Sequence, residues 1–198
     1  MRGMSDRAPA PRGRPRDERV DQRILDAVVA ELAERGVAGF ASNRVAARSG
    51  VAKRSIYSRW PNNEELILAG LSTLTAHVTH PRTGSVRGDL TALAEVLAEL
   101  FTGPRCRVIL RCETELAEYP ELHERIQQTC VQPMEDVVRE ILRNGVGRGE
   151  LRADVDIQLM VELLTAAVLY GANHAPNEEV LRAKLIAVLD SLLRGLLA

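Results

Sequence analysis

Residues 42–60, SNRVAARSGVAKRSIYSRW, constrain the fold more than any other stretch of this chain. Gly50 separates two short segments with apolar residues at helical spacing, and glycine tolerates the positive φ of a tight turn. In the first segment Val45, Ala46 and Ser49 share one face, with Ala46 small enough for a second helix to approach. In the second, Ile56 and Trp60 stand at i, i+4 and pack inward, while Val51 plugs the space between the helices. Lys53, Arg54, Ser55, Tyr57, Ser58 and Arg59 are left facing outward. Two arrangements satisfy this pattern: a helix-turn-helix that lays its second helix in the DNA major groove, or an ordinary αα-hairpin with a solvated basic face.

Charge distribution favours the first. The chain is near neutral, with 26 Lys+Arg against 27 Asp+Glu. Residues 1–60 hold 13 Lys/Arg and 7 Asp/Glu, a balance of +6, and residues 61–198 hold 13 and 20, a balance of −7. A basic pole confined to the segment with the candidate hairpin is the electrostatic footprint of a polyanion site.

Ahead of it, residues 1–17 form a flexible basic arm, in which Arg12, Arg14 and Arg16 alternate with Gly13 and Pro15. The run PRGRPR resembles the core of an AT-hook, whose arginines follow the narrow minor groove; the other reading is a leader that aids solubility. No apolar segment of signal-peptide type follows the arginines, so a targeting role is not expected.

The rest of the chain reads as helices, with breaks at residues 80–85, at Gly103–Pro104 and in the glycine-rich run NGVGRGE. One long helix is expected from Pro120 through Leu142, and Asn177 is a candidate N-cap for the last helix. The glycine-rich run follows a helix, not a strand, and lacks phosphate-loop spacing. No segment alternates with period 2, and no run reaches the 18 apolar residues of a membrane span. The expected fold is all-α: a helix-turn-helix domain over residues 18–64 and a larger helical domain over residues 65–198.

The last two helices are apolar over a width that requires burial on two sides or an interface between copies. The candidate interface residues are Met160, Leu163, Ala167, Gly171, Leu181, Leu185, Val188, Leu189 and Leu192. Cys106, Cys112 and Cys130 show no metal spacing and suit a reducing cytoplasm, either as buried small hydrophobes or as a thiol sensor. His77 and His80 stand at i, i+3 without a third ligand. The sequence contains no nucleophile–base pair, cofactor motif or metal cluster, so neither an enzyme nor a cofactor is expected.

Residues 20–71 resemble the N-terminal domain of TetR-family transcriptional regulators. The likeness rests on RILDAVVAELAERG, Phe40, RVAARSGVAKRSIYSRW and PNNEELILAGL. It implies that Lys53, Arg54, Ser55, Ser58 and Arg59 face the groove, that Tyr57 meets a phosphate, and that Ser42 and Asn43 lie beside the DNA backbone. Two positions depart from the family pattern: Ala41 replaces the usual Ser or Thr N-cap, and Asn63 replaces a frequent lysine.

The resemblance further implies a homodimer joined through a four-helix bundle, a near-palindromic double-stranded operator, and a small-molecule effector held among the middle helices. Candidate pocket residues are Phe101, Ile109, Cys112, Leu116, Ile126, Cys130, Met134, Met160, Leu164, Val168 and His174. With few aromatics in that domain, an apolar effector is favoured over one needing several stacking partners. The expected function is a ligand-responsive, cytoplasmic repressor, and a constitutive or architectural DNA-binding protein is the alternative.

Overall fold

The computed structural model describes residues 17–75, 78–102 and 104–196, without the side chains of residues 104–107, 113 and 196. Arg12, Arg14, Arg16 and His77 lie outside the described residues, as does the Cys106 side chain.

Helix α1 (Glu18–Arg35) opens at Asp17, whose carboxylate accepts from the Arg19 amide, and ends at Gly36. Ile24, Val28 and Leu32, expected on one face, are each 0% exposed. Helix α2 (Ser42–Ser49) follows, then the Gly50 turn, α3 (Lys53–Tyr57) and α4 (Asn63–Thr75). Asn62 caps α4 through the Glu65 amide at 2.8 Å. Beyond the break lie α5 (Val86–Leu100), α6 (Pro104–Leu116) and α7 (Pro120–Ile126). A π-helical segment, Gln127–Val131, leads into α8 (Gln132–Gly147), and α9 (Ile157–His174) and α10 (Glu178–Leu196) complete the chain. Among the described residues there is no strand.

The long helix expected from Pro120 is therefore broken into α7, a π turn and α8. Pro133 has no N–H to donate and its ring crowds the preceding carbonyls, so the backbone widens before it. The Gln132 amide bonds the Gln127 carbonyl, five residues back. At the far end α8 runs through Gly145, and the chain turns at Gly149 (φ 73°). A Cβ at Gly145 would lie 2.0 Å from Val86 Cγ2, so glycine there lets α5 and α8 pack closely. Asn177 does cap α10, accepting from the Val180 amide at 3.0 Å.

Among the described residues two hydrophobic clusters form. One joins α5, α8, α9 and α10. The other begins in α1–α4 and crosses the expected boundary at residue 64: Leu66, Leu71 and Leu74 of α4 pack in one cluster with Val108, Cys112, Leu116, Leu122 and Ile126.

Several residues expected at an interface between copies sit inside the protomer instead. Leu181, Leu185 and Leu189 are buried because α10 packs along α5 as well as α9, which accounts for its wide apolar surface. Met160 is buried in the same cluster. Gly171 is the close approach of α9 to α10, since a Cβ there would meet Leu181 Cδ1 at 2.6 Å. Ala167, Val188 and Leu192 are partly buried, while Leu163 stays 40% exposed. The outward face of the pair carries Leu159, Leu163 and Tyr170 on α9 (47%, 40% and 66% exposed) and the exposed residues Ala183, Ala187, Ser191 and Gly195 on α10.

Candidate functional site

Gly50 holds the α2–α3 turn in the left-handed region, at φ 67° and ψ 22°. Val45 and Ile56 are fully buried beneath the turn, with Ala46, Val51 and Trp60 packed around them. This fixes which side of α3 looks outward. Lys53, Arg54 and Ser58 are exposed there, as is Asn43 on α2, while Ser55 and Tyr57 are half-buried. The Lys53 ammonium lies 5.4 Å from the centre of the Tyr57 ring, a cation–π distance.

The Tyr57 hydroxyl joins the three helices. It lies 2.8 Å from Ser42 Oγ at the start of α2 and donates to Asn63 Oδ1, at 3.3 Å, at the start of α4. Ser42 is thereby committed to Tyr57 and does not cap its own helix. Ala41 occupies the N-cap position, extended and with no side-chain bond. Asn63, which stands in place of a lysine, supports the tyrosine.

Arg59 departs from the outward placement read from the sequence. Its Nε pairs with Asp21 of α1 and its Nη1 donates to the Ser55 carbonyl at 2.8 Å, leaving the side chain 19% exposed. Arg44 is likewise drawn back to Glu31, a fully buried carboxylate of α1. Arg48 pairs with Glu34 on the surface.

A cavity of about 200 Å³ opens among the middle helices. Of the residues expected to line it, Phe101, Ile109, Cys112, Leu116, Ile126, Cys130, Met134, Leu164 and Val168 do so. Met160 and His174 are not among the residues found there. Met160 packs in the α5–α8–α9–α10 core, and His174 is exposed at the end of α9, its ring stacked on Tyr170 at 4.2 Å. Sequence reasoning missed Leu71 and Thr75 of α4, Leu93 and Leu97 of α5, and the polar residues Gln127, Glu135 and Thr165. Glu135 had a signal: Val131, Met134, Glu135 and Val138 recur at i, i+3, i+4, i+7, which puts the carboxylate on a cavity-facing stripe. Burial pushes the Cys130 thiol pKa up, against the weaker opposing effect of hydrogen bonds with Ser72 and Thr75. That disfavours the thiolate a sensor needs.

Helix α6 connects cavity and helix-turn-helix. Ile109, Cys112 and Leu116 face the cavity. Arg111 and Glu115 face the end of α1 instead. Glu115 Oε2 accepts from the amides of Val37 (2.6 Å) and Ala38 (3.1 Å), and Arg111 Nη1 donates to the carbonyls of Ala33 and Glu34, each at 3.1 Å. Arg111 Nε also bonds Glu115 at 3.0 Å. Desolvation alone would raise the Glu115 pKa, but the Ala38 amide, Arg111 and the Val37 amide together hold it below the ordinary carboxylate value. An ion pair, Arg125 of α7 with Glu65 of α4 at 2.8 Å, adds a further link between the N-terminal helices and those around the cavity.

Among the described residues no group of His, Cys, Asp and Glu could hold a metal, and no helix is long and apolar enough to cross a membrane.

Comparison with known proteins agrees with this architecture. Residues 24–69 match the sequence model of the bacterial regulatory proteins of the tetR family, and residues 80–192 match that of the tetracyclin repressor-like C-terminal domain. The HTH-type transcriptional regulator YdeS of Bacillus subtilis is 32% identical over 164 residues, 80% of this chain and 81% of the relative. HTH-type regulator AqdR of Rhodococcus erythropolis is also 32% identical over 164 residues, covering 82% and 79%. In fold, the chain is similar to FadR from Bacillus subtilis, solved in complex with stearoyl-CoA: TM-score 0.67 and 17% identity over 88% of this chain and 96% of that one.

Proposed function

The chain belongs to the TetR family of bacterial transcriptional regulators, and from that premise we propose that it is a dimeric repressor released from a near-palindromic operator by a small molecule. DNA binding and regulation of transcription, not catalysis, come with the family. Repression, dimerisation and effector response are our reading.

One observation carries that reading. Helix α6 presents Ile109, Cys112 and Leu116 to the cavity, and Arg111 and Glu115 to the end of α1. A ligand that pushes on the first face moves the second. Differential affinity of the ligand for two positions of α6 is then differential affinity for two positions of the helix-turn-helix. FadR, with its bound stearoyl-CoA, lends the reading support by fold alone.

The dimer follows from the outward face of α9 and α10. Leu159, Leu163 and Tyr170 are exposed on α9, and Ala183, Ala187, Ser191 and Gly195 on α10 are small enough to let another helix come close. A two-fold pairing on this face brings two copies of α3 to successive major grooves. Lys53, Arg54, Ser55, Tyr57 and Ser58, with Asn43, form the contact surface, and the arginine arm adds backbone contacts. Work on DNA implies a cytoplasmic protein.

Selection of bound sequences from random DNA, repeated with a compound library, tests the proposal. A two-fold symmetric consensus whose occupancy falls with a compound supports it. Operator binding that no compound weakens favours the constitutive alternative.

A further inference from the structure

Resting on the reading of this cavity as the effector site, we infer that its ligand is a small lipophilic amine, held by an ammonium facing Glu135. The cavity walls are predominantly aliphatic, with Phe101 as their aromatic ring. A volume of about 200 Å³ accommodates a molecule of roughly ten non-hydrogen atoms, since about 150 Å³ holds benzene.

Glu135 stands on the cavity stripe of α8 between Met134 and Val138, a position where the pattern calls for an apolar side chain. Among the described residues the cation paired with it is Arg139, whose Nη2 lies 3.9 Å away, beyond hydrogen-bond range. That guanidinium is already shared, with Asp136 through Nη1 and with Gln158 at 3.2 Å through Nη2. The carboxylate therefore retains acceptor capacity in a largely apolar wall. An ammonium satisfies it with a charge-assisted hydrogen bond, on a side chain 26% exposed. A carboxylate or phosphate ligand meets like charge instead. Thr165, also in the lining, offers a hydroxyl to orient the head group.

The test is isothermal titration of the purified, DNA-free, full-length protein with three probes of similar size: 2-phenylethylamine, 2-phenylethanol and 3-phenylpropanoate. The amine is expected to bind at least about tenfold more tightly than the other two, the ratio that one charge-assisted hydrogen bond supplies. Glu135→Gln removes that advantage and leaves the alcohol unchanged, which also reports that the cavity is still formed. Leu97→Trp fills the space and abolishes binding of all three. An acid or alcohol that binds as tightly as the amine overturns the inference, as does amine affinity that survives Glu135→Gln, or a failure of every probe to bind. Amine bound through Glu135 without release of operator DNA upholds this assignment and overturns the regulatory one.

Discussion

The hydroxyl of Tyr57 lies 2.8 Å from that of Ser42, so the last residue of α3 is fastened to the first residue of α2. The same hydroxyl donates to Asn63 at the head of α4. Tyr57→Phe keeps the ring and removes both bonds. We expect about 0.5–1.5 kcal/mol less stability in urea unfolding, with operator affinity falling several-fold in fluorescence anisotropy titrations. Unchanged affinity would exclude the tyrosine from backbone anchoring.

Lys53 and Arg54 are exposed beside it, and their substitutions separate phosphate anchoring from base reading. If Lys53 meets a phosphate, Lys53→Ala is expected to weaken binding to all sequences alike and to lower the salt slope by about 1. If Arg54 reads a base edge, Arg54→Ala is expected to cost about 1–3 kcal/mol and to relax preference at one operator position. Binding selection run on each variant reads the difference.

Gly36 turns the chain at φ 69° and ψ −169°, and a Cβ there would lie 2.1 Å from Glu115 Oε1. Gly36→Ala therefore strains the backbone and pushes the carboxylate off the Val37 and Ala38 amides. A destabilisation of about 1–3 kcal/mol is expected from the backbone alone, seen as a lower urea midpoint. A midpoint equal to wild type contradicts this tight fit between α6 and the end of α1.

The Glu115 pKa is lowered in the fold from its ordinary value of 4.5. Below 4.5 the unfolded chain takes up the proton first, so the stabilisation is complete above that pH and is lost as pH falls through the lowered value. Glu150 behaves likewise, held down by the Val86 amide and Arg148. Glu115→Gln should flatten the fall in urea midpoint between about pH 5 and 3; parallel curves for variant and wild type refute the assignment.

Tyr170→Glu places a charge on the outward face of α9, where the ring is 66% exposed. Sedimentation velocity should show the proposed wild-type dimer replaced by a folded monomer, with operator affinity greatly reduced. A dimer that persists moves the interface elsewhere.

The helices and the reading head are legible because their signals are local: Gly50 for the turn, and Ile24, Val28 and Leu32 for the buried stripe of α1. Partner choice is what escapes. Leu181, Leu185 and Leu189 announce an apolar face without saying whether α5 or a second copy covers it. Arg59 finds Asp21, 38 residues away, and no local pattern foretells such a pair. Glu135 is easily passed over, because a carboxylate in an apolar stripe looks like a surface residue when only spacing is read. Pro133 marks the π turn, yet it is hidden inside a stretch whose hydrophobic period continues across it.

The cluster that runs from Ile24 and Val45 through Leu71 to Leu116 and Ile126 has a thermodynamic consequence. Cut away residues 76–198 and the apolar side of α4 is left bare to water, along with the face of α1 that packs on α6. Sharing this cluster, the helix-turn-helix is not expected to melt as a detachable module with its own transition. It is expected to unfold together with α6 and α7, so that a ligand tightening those helices would raise the stability of the reading head as well.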